Sequence, residues 1–330
     1  MQEEMEETLF PIYRTMKQIR FIYFLAFCLL FPLYASSQKV VKLKKWNIPS
    51  GHYSGITAMG ENLYAVVSDK SEHTGFHLWY ILLSPDKGKV EDVQYKGFYG
   101  DEALSARDEE GIAYCPELNT IFLSGEADQR ILEYRMDGSL TGKELHVPTL
   151  FGKDKIQENR GFEALCYDKD RKVFWTSTES PLKEDKPRQL RLQCFSIDLQ
   201  PATQYNYYLD TPQVKRKGKD YYHGLVALAA LPDGKLLCLE REANITPRYL
   251  GSKCWCKLFS WDPQSGRKTL LDSWKTRFAL GRRNFADYEG MCLGPQLSDG
   301  RQTLLLVNDS QGGYGRGAIR LRDYLRVFVF

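Results

Sequence analysis

The 330-residue chain lacks most of the short signatures that assign an enzyme class. There is no G-x-S-x-G; in Gly51-His52-Tyr53-Ser54-Gly55 the serine stands one place late for a nucleophile elbow. Neither H-E-x-x-H nor a Walker-type phosphate loop occurs, and no EF-hand loop is present. No nucleotide or redox cofactor is therefore expected. Histidine is scarce, at five residues, and the eight cysteines include no C-x-x-C pair, so their spacings do not read as a zinc site. An excess of one charge is also missing. The 45 Lys and Arg face 42 Asp and Glu, for a net charge of +3, which gives no reason to expect a nucleic-acid partner. The single long apolar run, residues 21–34, falls short of the roughly 20 residues that span a bilayer. A mean hydropathy of −0.43 excludes a polytopic helical membrane protein.

What is present is a heavy load of large side chains. With 20 Tyr, 17 Phe and 6 Trp, the chain is neither disordered nor collagenous nor a simple coiled coil. The first 37 residues read as an export signal: Met16-Lys17-Gln18-Ile19-Arg20, the apolar run, then Ala35-Ser36-Ser37. Met16 is a candidate true start, and cleavage is expected near Ser37/Gln38, leaving residues 38–330 as one domain without a stable membrane anchor. The product is expected to be periplasmic or extracellular. Export permits disulfides, but seven cysteines remain, and Cys254-Trp255-Cys256 places two of them on one face of a strand. Small buried residues are the simpler reading for these cysteines.

A repeat runs through the rest. Each unit is an apolar run, a polar turn, a second apolar run and then an acid. The units span 54–69, 110–126, 163–179, 224–240 and 289–309, with turns such as Asp168-Lys169-Asp170 and Pro232-Asp233-Gly234. Such runs and turns are β-hairpins. A third strand follows each hairpin, at 78–84, 131–136, 192–198, 257–261 and 324–330, and a fourth follows at 90–98, 143–147, 204–209 and 268–274. The fifth unit runs out of chain, and residues 40–48 form a spare strand that supplies its fourth. The pattern predicts an all-β fold, a β-propeller of five four-stranded blades closed by the N-terminal strand. Six blades is the alternative, with residues 188–209 as a further sheet.

Within each hairpin the start of the first strand lies beside the end of the second. Glu110 is thus expected beside Glu126, Glu163 beside Glu179, and Glu289 beside Asp309. Asp69 and Glu240 are the corresponding acids of the first and fourth blades. The innermost strands line the channel, so these acids ring one mouth. The loops on that rim, at 71–77, 180–188, 243–253 and 311–317 and at 99–109, 149–162, 211–223 and 275–288, are the long ones, and sites form on such loops. They carry Arg160 and rim aromatics such as Tyr222 and Tyr249, while Arg241 follows Glu240 directly and His52 and His223 stand just before first strands. So many carboxylates need counter-charge, from arginine, protons or a cation. A hard ion such as Ca²⁺ suits oxygen ligands. An acid repeated in every blade also suits another role, tying loops together through backbone N–H groups or a neighbouring arginine.

An ordered set of motifs runs from about Gly51 to the C-terminus: Ser54-Gly55-Ile56 with Ser68-Asp69, Asp108-Glu109-Glu110-Gly111-Ile112-Ala113 with Ser124-Gly125-Glu126, and Asn159-Arg160-Gly161-Phe162-Glu163-Ala164-Leu165 with Thr178-Glu179. Gly224-Leu225-Val226-Ala227-Leu228 with Leu239-Glu240-Arg241, and Asp287-Tyr288-Glu289-Gly290-Met291 with Val307-Asn308-Asp309, complete it. This set resembles the phytase-like family, the esterase-like domain of phytase. The fourth blade departs, with Val226 or Gly224 where others have Glu, and the first has Ser54. The resemblance implies phosphoester hydrolysis. Glu110, Glu163 and Glu289 then hold a cation, Arg160 and Arg241 hold phosphate oxygens, and a remaining Glu acts as base. Asp69, Glu126, Glu179, Glu240, Asp309, His52 and His223 are the candidate substrate-binding groups. The ligand is expected to be small, phosphorylated or carbohydrate-like. The alternative is a non-catalytic propeller that binds a carbohydrate, a peptide or an envelope component, or serves as a scaffold.

Overall fold

A computed structural model describes residues 39–279, 282–316 and 320–330. The expected leader, Met16 and the cleavage point lie outside the described residues. Among the described residues no helix is long and apolar enough to cross a membrane.

The chain is a five-bladed β-propeller. Blade I contains β2 (Tyr53–Gly60), β3 (Leu63–Ser68), β4 (His73–Leu83) and β5 (Val90–Ser105). Blade II contains β6 (Glu109–Cys115), β7 (Thr120–Gly125), β8 (Arg130–Tyr134) and β9 (Leu140–Leu145). Blade III contains β10 (Phe162–Asp168), β11 (Val173–Thr178), β12 (Gln189–Ser196) and β13 (Pro201–Tyr208). Blade IV contains β14 (Asp220–Ala230), β15 (Leu236–Ile245), β16 (Lys253–Trp261) and β17 (Lys268–Ala279), with the two-residue β18 (Arg282–Arg283) on its edge. Blade V contains β19 (Asp287–Gln296), β20 (Gln302–Asp309) and β21 (Tyr324–Val329), and its outermost strand is β1 (Lys39–Lys42) from the other end of the chain. Residues 188–209 form β12 and β13 of blade III, so there is no sixth sheet among the described residues.

Ring closure follows the expected route, with a shorter strand. β1 pairs antiparallel with β21 from Lys39↔Val327 to Lys42↔Tyr324, and then leaves the sheet. A 3₁₀ turn at Leu43–Trp46 follows, ended by Asn47 in the left-handed conformation. The chain has to cross from the outside of blade V to the inside of blade I within a few residues, which a continued strand cannot do. Leu43 is buried at the corner, and its N–H donates to the Asp323 carbonyl at 3.0 Å.

Second strands are sandwiched between blades, which explains their unbroken apolar runs. Every residue from Thr303 to Asp309 in β20 is buried, whereas β13 is mostly exposed. The core lies between blades. Tyr64 and Trp79 meet Leu305 and Val327, Phe76 meets Leu123 and Tyr134, Phe122 meets Phe174, and Trp175 and Tyr207 meet Trp261. Blades IV and V are joined differently, by the Arg326 guanidinium lying 4.3 Å from the Trp274 ring centre with Tyr288 and Phe328 around it. The seven described cysteines are buried and unpaired, as small core residues.

Much of what reads as long loop is strand. β4 and β5 pair out to His73↔Ser105, and β14 and β15 pair out to Asp220↔Ile245. These extensions rise past the blade body, beyond the apolar interblade core. Their sequence therefore loses the apolar alternation by which a strand is recognised.

Candidate active site

The innermost strands β2, β6, β10, β14 and β19 neighbour one another around the channel. Each carries a bulge at an equivalent place. One extra residue interrupts the pairing at Ser54, Glu163, Val226 and Glu289, and Glu110 with Gly111 faces Ser124 alone. A bulge re-aims the side chain it carries. Glu110, Glu163 and Glu289 accordingly line the cavity at this mouth. The residue after the bulge is small for a physical reason. A Cβ on Gly55 would lie 2.6 Å from the Glu110 carbonyl oxygen, and one on Gly111 would lie 2.6 Å from that of Glu163. The inner strands pack backbone to backbone there, so the Glu-Gly pair is one device: the acid is turned inward and the next blade comes close.

The ends of the second strands supply the next layer. The N–H groups of Asp69, Glu126 and Glu179 donate to the carbonyls of His52, Asp108 and Gly161 at 3.1, 2.8 and 2.8 Å. In the same register Asp309 pairs with Asp287, and Arg241 pairs with Gly224. Blade IV therefore presents Arg241, not Glu240, to the mouth. Glu240 faces the other side of the strand, where it accepts from Tyr207 Oη at 2.7 Å and the Asp210 N–H at 2.9 Å, and pairs with Lys268. The expectation that Glu240 rings the mouth is corrected by this register: along a strand, adjacent side chains point to opposite faces.

The mouth encloses a cavity of about 290 Å³ with two unlike halves. On the side of blades III to V, Arg241 is only 5% exposed and is held by three carboxylates. It donates to Glu179 Oε1 at 2.7 Å, Asp287 Oδ2 at 3.0 Å and Glu289 Oε1. Arg160 adds a 2.6 Å bond to Glu179 Oε2, and its guanidinium lies 4.2 Å from the Tyr222 ring centre. Burial opposes ionisation of Glu179, but Arg241 and Arg160 outweigh it and hold its carboxyl below the ordinary range. Glu289 is raised by burial despite Arg241.

On the side of blades I and II, Asp69, Asp108 and Glu110 each bring a carboxylate oxygen within 4.8 Å of the others. Lys70 Nζ pairs with Asp108 and lies 3.4 Å from Asp69 Oδ2. Asp108 takes a left-handed φ of 58°, which aspartate tolerates, at the entry to β6. Glu110 is 7% exposed and makes no hydrogen bond or ion pair with any described residue. Burial first, and Glu163 and Asp69 next, push its carboxyl well above the ordinary range. Glu163 is likewise buried and unpaired among the described residues, and is raised by burial and by Glu179. His52 bridges the seam of the ring, its Nδ1 lying 3.4 Å from Asp309 Oδ1 and 3.6 Å from Asp69 Oδ1. Asp309 is pushed up to about 8 by burial and by Asp69, although Gln311 donates to it.

Glu110, Glu163, Glu289, Arg160, Arg241, Asp69, Glu179 and Asp309 thus come together at the cavity. Glu126, Glu240 and His223 do not line it. Glu126 accepts from the Gly161 N–H at 2.6 Å, a tie between blades II and III. His223 pairs with Glu242 across β14 and β15. The expected metal set of Glu110, Glu163 and Glu289 is not the one whose oxygens converge, and Glu289 is paired with Arg241. The set that converges, Asp69, Asp108 and Glu110, was not read from the sequence as a metal set, nor were Lys70, Asp287 and Gln311 read as part of the mouth. A signal for two of these exists in Asp108-Glu109-Glu110-Gly111 and Asp287-Tyr288-Glu289-Gly290, which share Asp-x-Glu-Gly.

Two oxygens bound at about 2.4 Å to one hard ion lie at most about 4.8 Å apart. The Asp69, Asp108 and Glu110 oxygens meet that limit. They are hard ligands, and one, Glu110, is a largely buried carboxylate to which no described residue donates. The residues present therefore fit a hard divalent cation.

Solved structures similar to this chain include a tail fibre of a Staphylococcus aureus phage, with 14% identity and a TM-score of 0.47 over 91% of this chain and 54% of that one. The chain thus spans about half the length of that fibre. A thermostable family-43 glycoside hydrolase is 13% identical, with a TM-score of 0.47 over 86% of this chain and 89% of that one. An endo-arabinase from Bacteroides thetaiotaomicron is 12% identical, with a TM-score of 0.47 over 86% and 95%. No curated protein matches the sequence. Residues 48–311 match the family described as Phytase-like, esterase-like activity of phytase. With the motifs of all five blades inside that span, the chain belongs to the phytase-like family.

Proposed function

We propose that the chain is an exported phosphoester hydrolase whose cavity binds a divalent cation, Ca²⁺ by its oxygen ligands, at Asp69, Asp108 and Glu110. The observation that carries this reading is the convergence of three carboxylate oxygens within 4.8 Å around a buried, unpaired Glu110. When bound, such an ion polarises a phosphoryl oxygen and acidifies a water. The chain's own residues supply the rest. Arg160, at 18% side-chain exposure, is the arginine able to turn a donor toward a phosphate oxygen. Arg241 is committed to three carboxylates, so it positions Glu179, Asp287 and Glu289 rather than substrate. Glu163, unpaired among the described residues and held above the ordinary carboxylate range by burial and by Glu179, suits proton transfer. A second reading, a non-catalytic binder of a sugar-like or peptide ligand, is favoured by Tyr222, Tyr249 and Phe285 on the cavity wall.

The test is calorimetric titration of Ca²⁺ followed by a phosphoester panel, on the exported chain and Glu110→Gln. The variant is expected to lose cation affinity by about 100-fold and turnover with it. Turnover that persists in excess chelator defeats the metal part. Cation binding without turnover of any phosphoester selects the second reading.

A further inference from the structure

The cations at the mouth differ in kind. Arg241 is buried and anchored at three points, whereas Lys70 follows directly on Asp69, and its side chain is 51% exposed. Its ammonium sits among the same three carboxylates that fit a metal, yet it satisfies them incompletely. It pairs with Asp108 and approaches Asp69, while Glu110 has no bond from it. An ammonium offers three donors and prefers water, whereas a hard dication accepts six or more oxygens and takes all three carboxylates at once. The two cations cannot occupy one cluster this small without strong repulsion. A four-carbon stem that is half exposed lets the ammonium leave without any backbone change.

We propose that Lys70 is a displaceable internal counter-ion. A divalent cation entering Asp69, Asp108 and Glu110 replaces its ammonium, and the freed ammonium becomes an anion-binding group at the cavity rim. This rests on the cation reading of the site and adds its regulation: anion capture follows cation loading. Without a cation, Lys70 neutralises the acidic half and is tied down. With one, the same residue faces the cavity that it lines.

The experiment uses Ca²⁺ and inorganic phosphate as probes, with wild-type protein and Lys70→Met. Calorimetry is expected to give about tenfold tighter Ca²⁺ binding by Lys70→Met, because the competing ammonium is gone. Acetylation of Lys70, followed by mass spectrometry against the other lysines, is expected to quicken several-fold when Ca²⁺ is added. Phosphate binding is expected to need Ca²⁺ in the wild type and to weaken at least several-fold in Lys70→Met. Equal Ca²⁺ affinity in both proteins, with Lys70 acetylation unmoved, overturns the exchange while the cation site stands. Absence of Ca²⁺ binding in both proteins overturns the cation reading itself, and the exchange with it.

Discussion

The two halves of the mouth solve one electrostatic problem in opposite ways. Around blades III to V, a buried guanidinium holds Glu179, Asp287 and Glu289 together. Around blades I and II, a half-exposed ammonium rests on Asp69 and Asp108 and leaves Glu110 unmet. Arginine is planar, always charged and able to serve several carboxylates at once, and lysine is a mobile point charge. A cluster neutralised by buried arginine keeps its counter-charge, and one neutralised by exposed lysine can exchange it. The difference separates a structural clamp from a candidate binding site among acids that are similar in sequence.

The largest break in this comparison is Arg241→Met. It strands buried carboxylates without a partner and is expected to cost about 3–5 kcal/mol in urea unfolding. Lys70→Met is expected to cost less than about 1 kcal/mol in the same measurement. Similar losses from both changes would erase the distinction.

A second effect, spread over pH, comes from the seam. Asp309 ionises near 3.8 when unfolded and at about 8 when folded. Between those values the folded chain keeps a proton that the unfolded chain has released, so stability is full below the lower value and is lost as pH rises through the upper one. The raised carboxyls of Glu110, Glu163 and Glu289 act in the same direction. Glu179, which is lowered, acts oppositely, losing its contribution as pH falls through its folded value. Asp309→Asn is expected to flatten the decline in unfolding free energy between about pH 4 and about pH 8 in cation-free buffer. An undiminished slope would place the titrating group elsewhere.

The smallest expected effect on cation binding is that of Glu240→Gln. It weakens the contacts to Lys268 and the Asp210 N–H, at about 1.5 kcal/mol, and leaves Ca²⁺ affinity unchanged because Glu240 faces away from the cavity. A change in affinity would return Glu240 to the mouth.

Much of the architecture is legible in the sequence. Runs such as Leu304-Leu305-Leu306-Val307, with polar turns between them, mark strands buried on both faces, and their fivefold recurrence marks blades. The extended hairpins were not legible, because beyond the blade body β14 begins with Asp220 and no interblade core demands apolar side chains. Glu110, Glu163 and Glu289 were found as a set because the bulge that turns each inward recurs with the strand. Their division of labour was not, since the partners of Glu289 come from blade IV and those nearest Glu110 come from blade I.

The sequence by itself determined the repeat, the closing strand and the concentration of acid at one rim, and favoured five blades over six, because each is a local pattern renewed every 50–60 residues or so. Tertiary structure decided which charge stands where. Glu240 and Arg241 are neighbours in the chain, and either can end a second strand as far as composition shows. Register alone puts Arg241 at the mouth and Glu240 behind it, because one residue along a β-strand exchanges the channel face for the other.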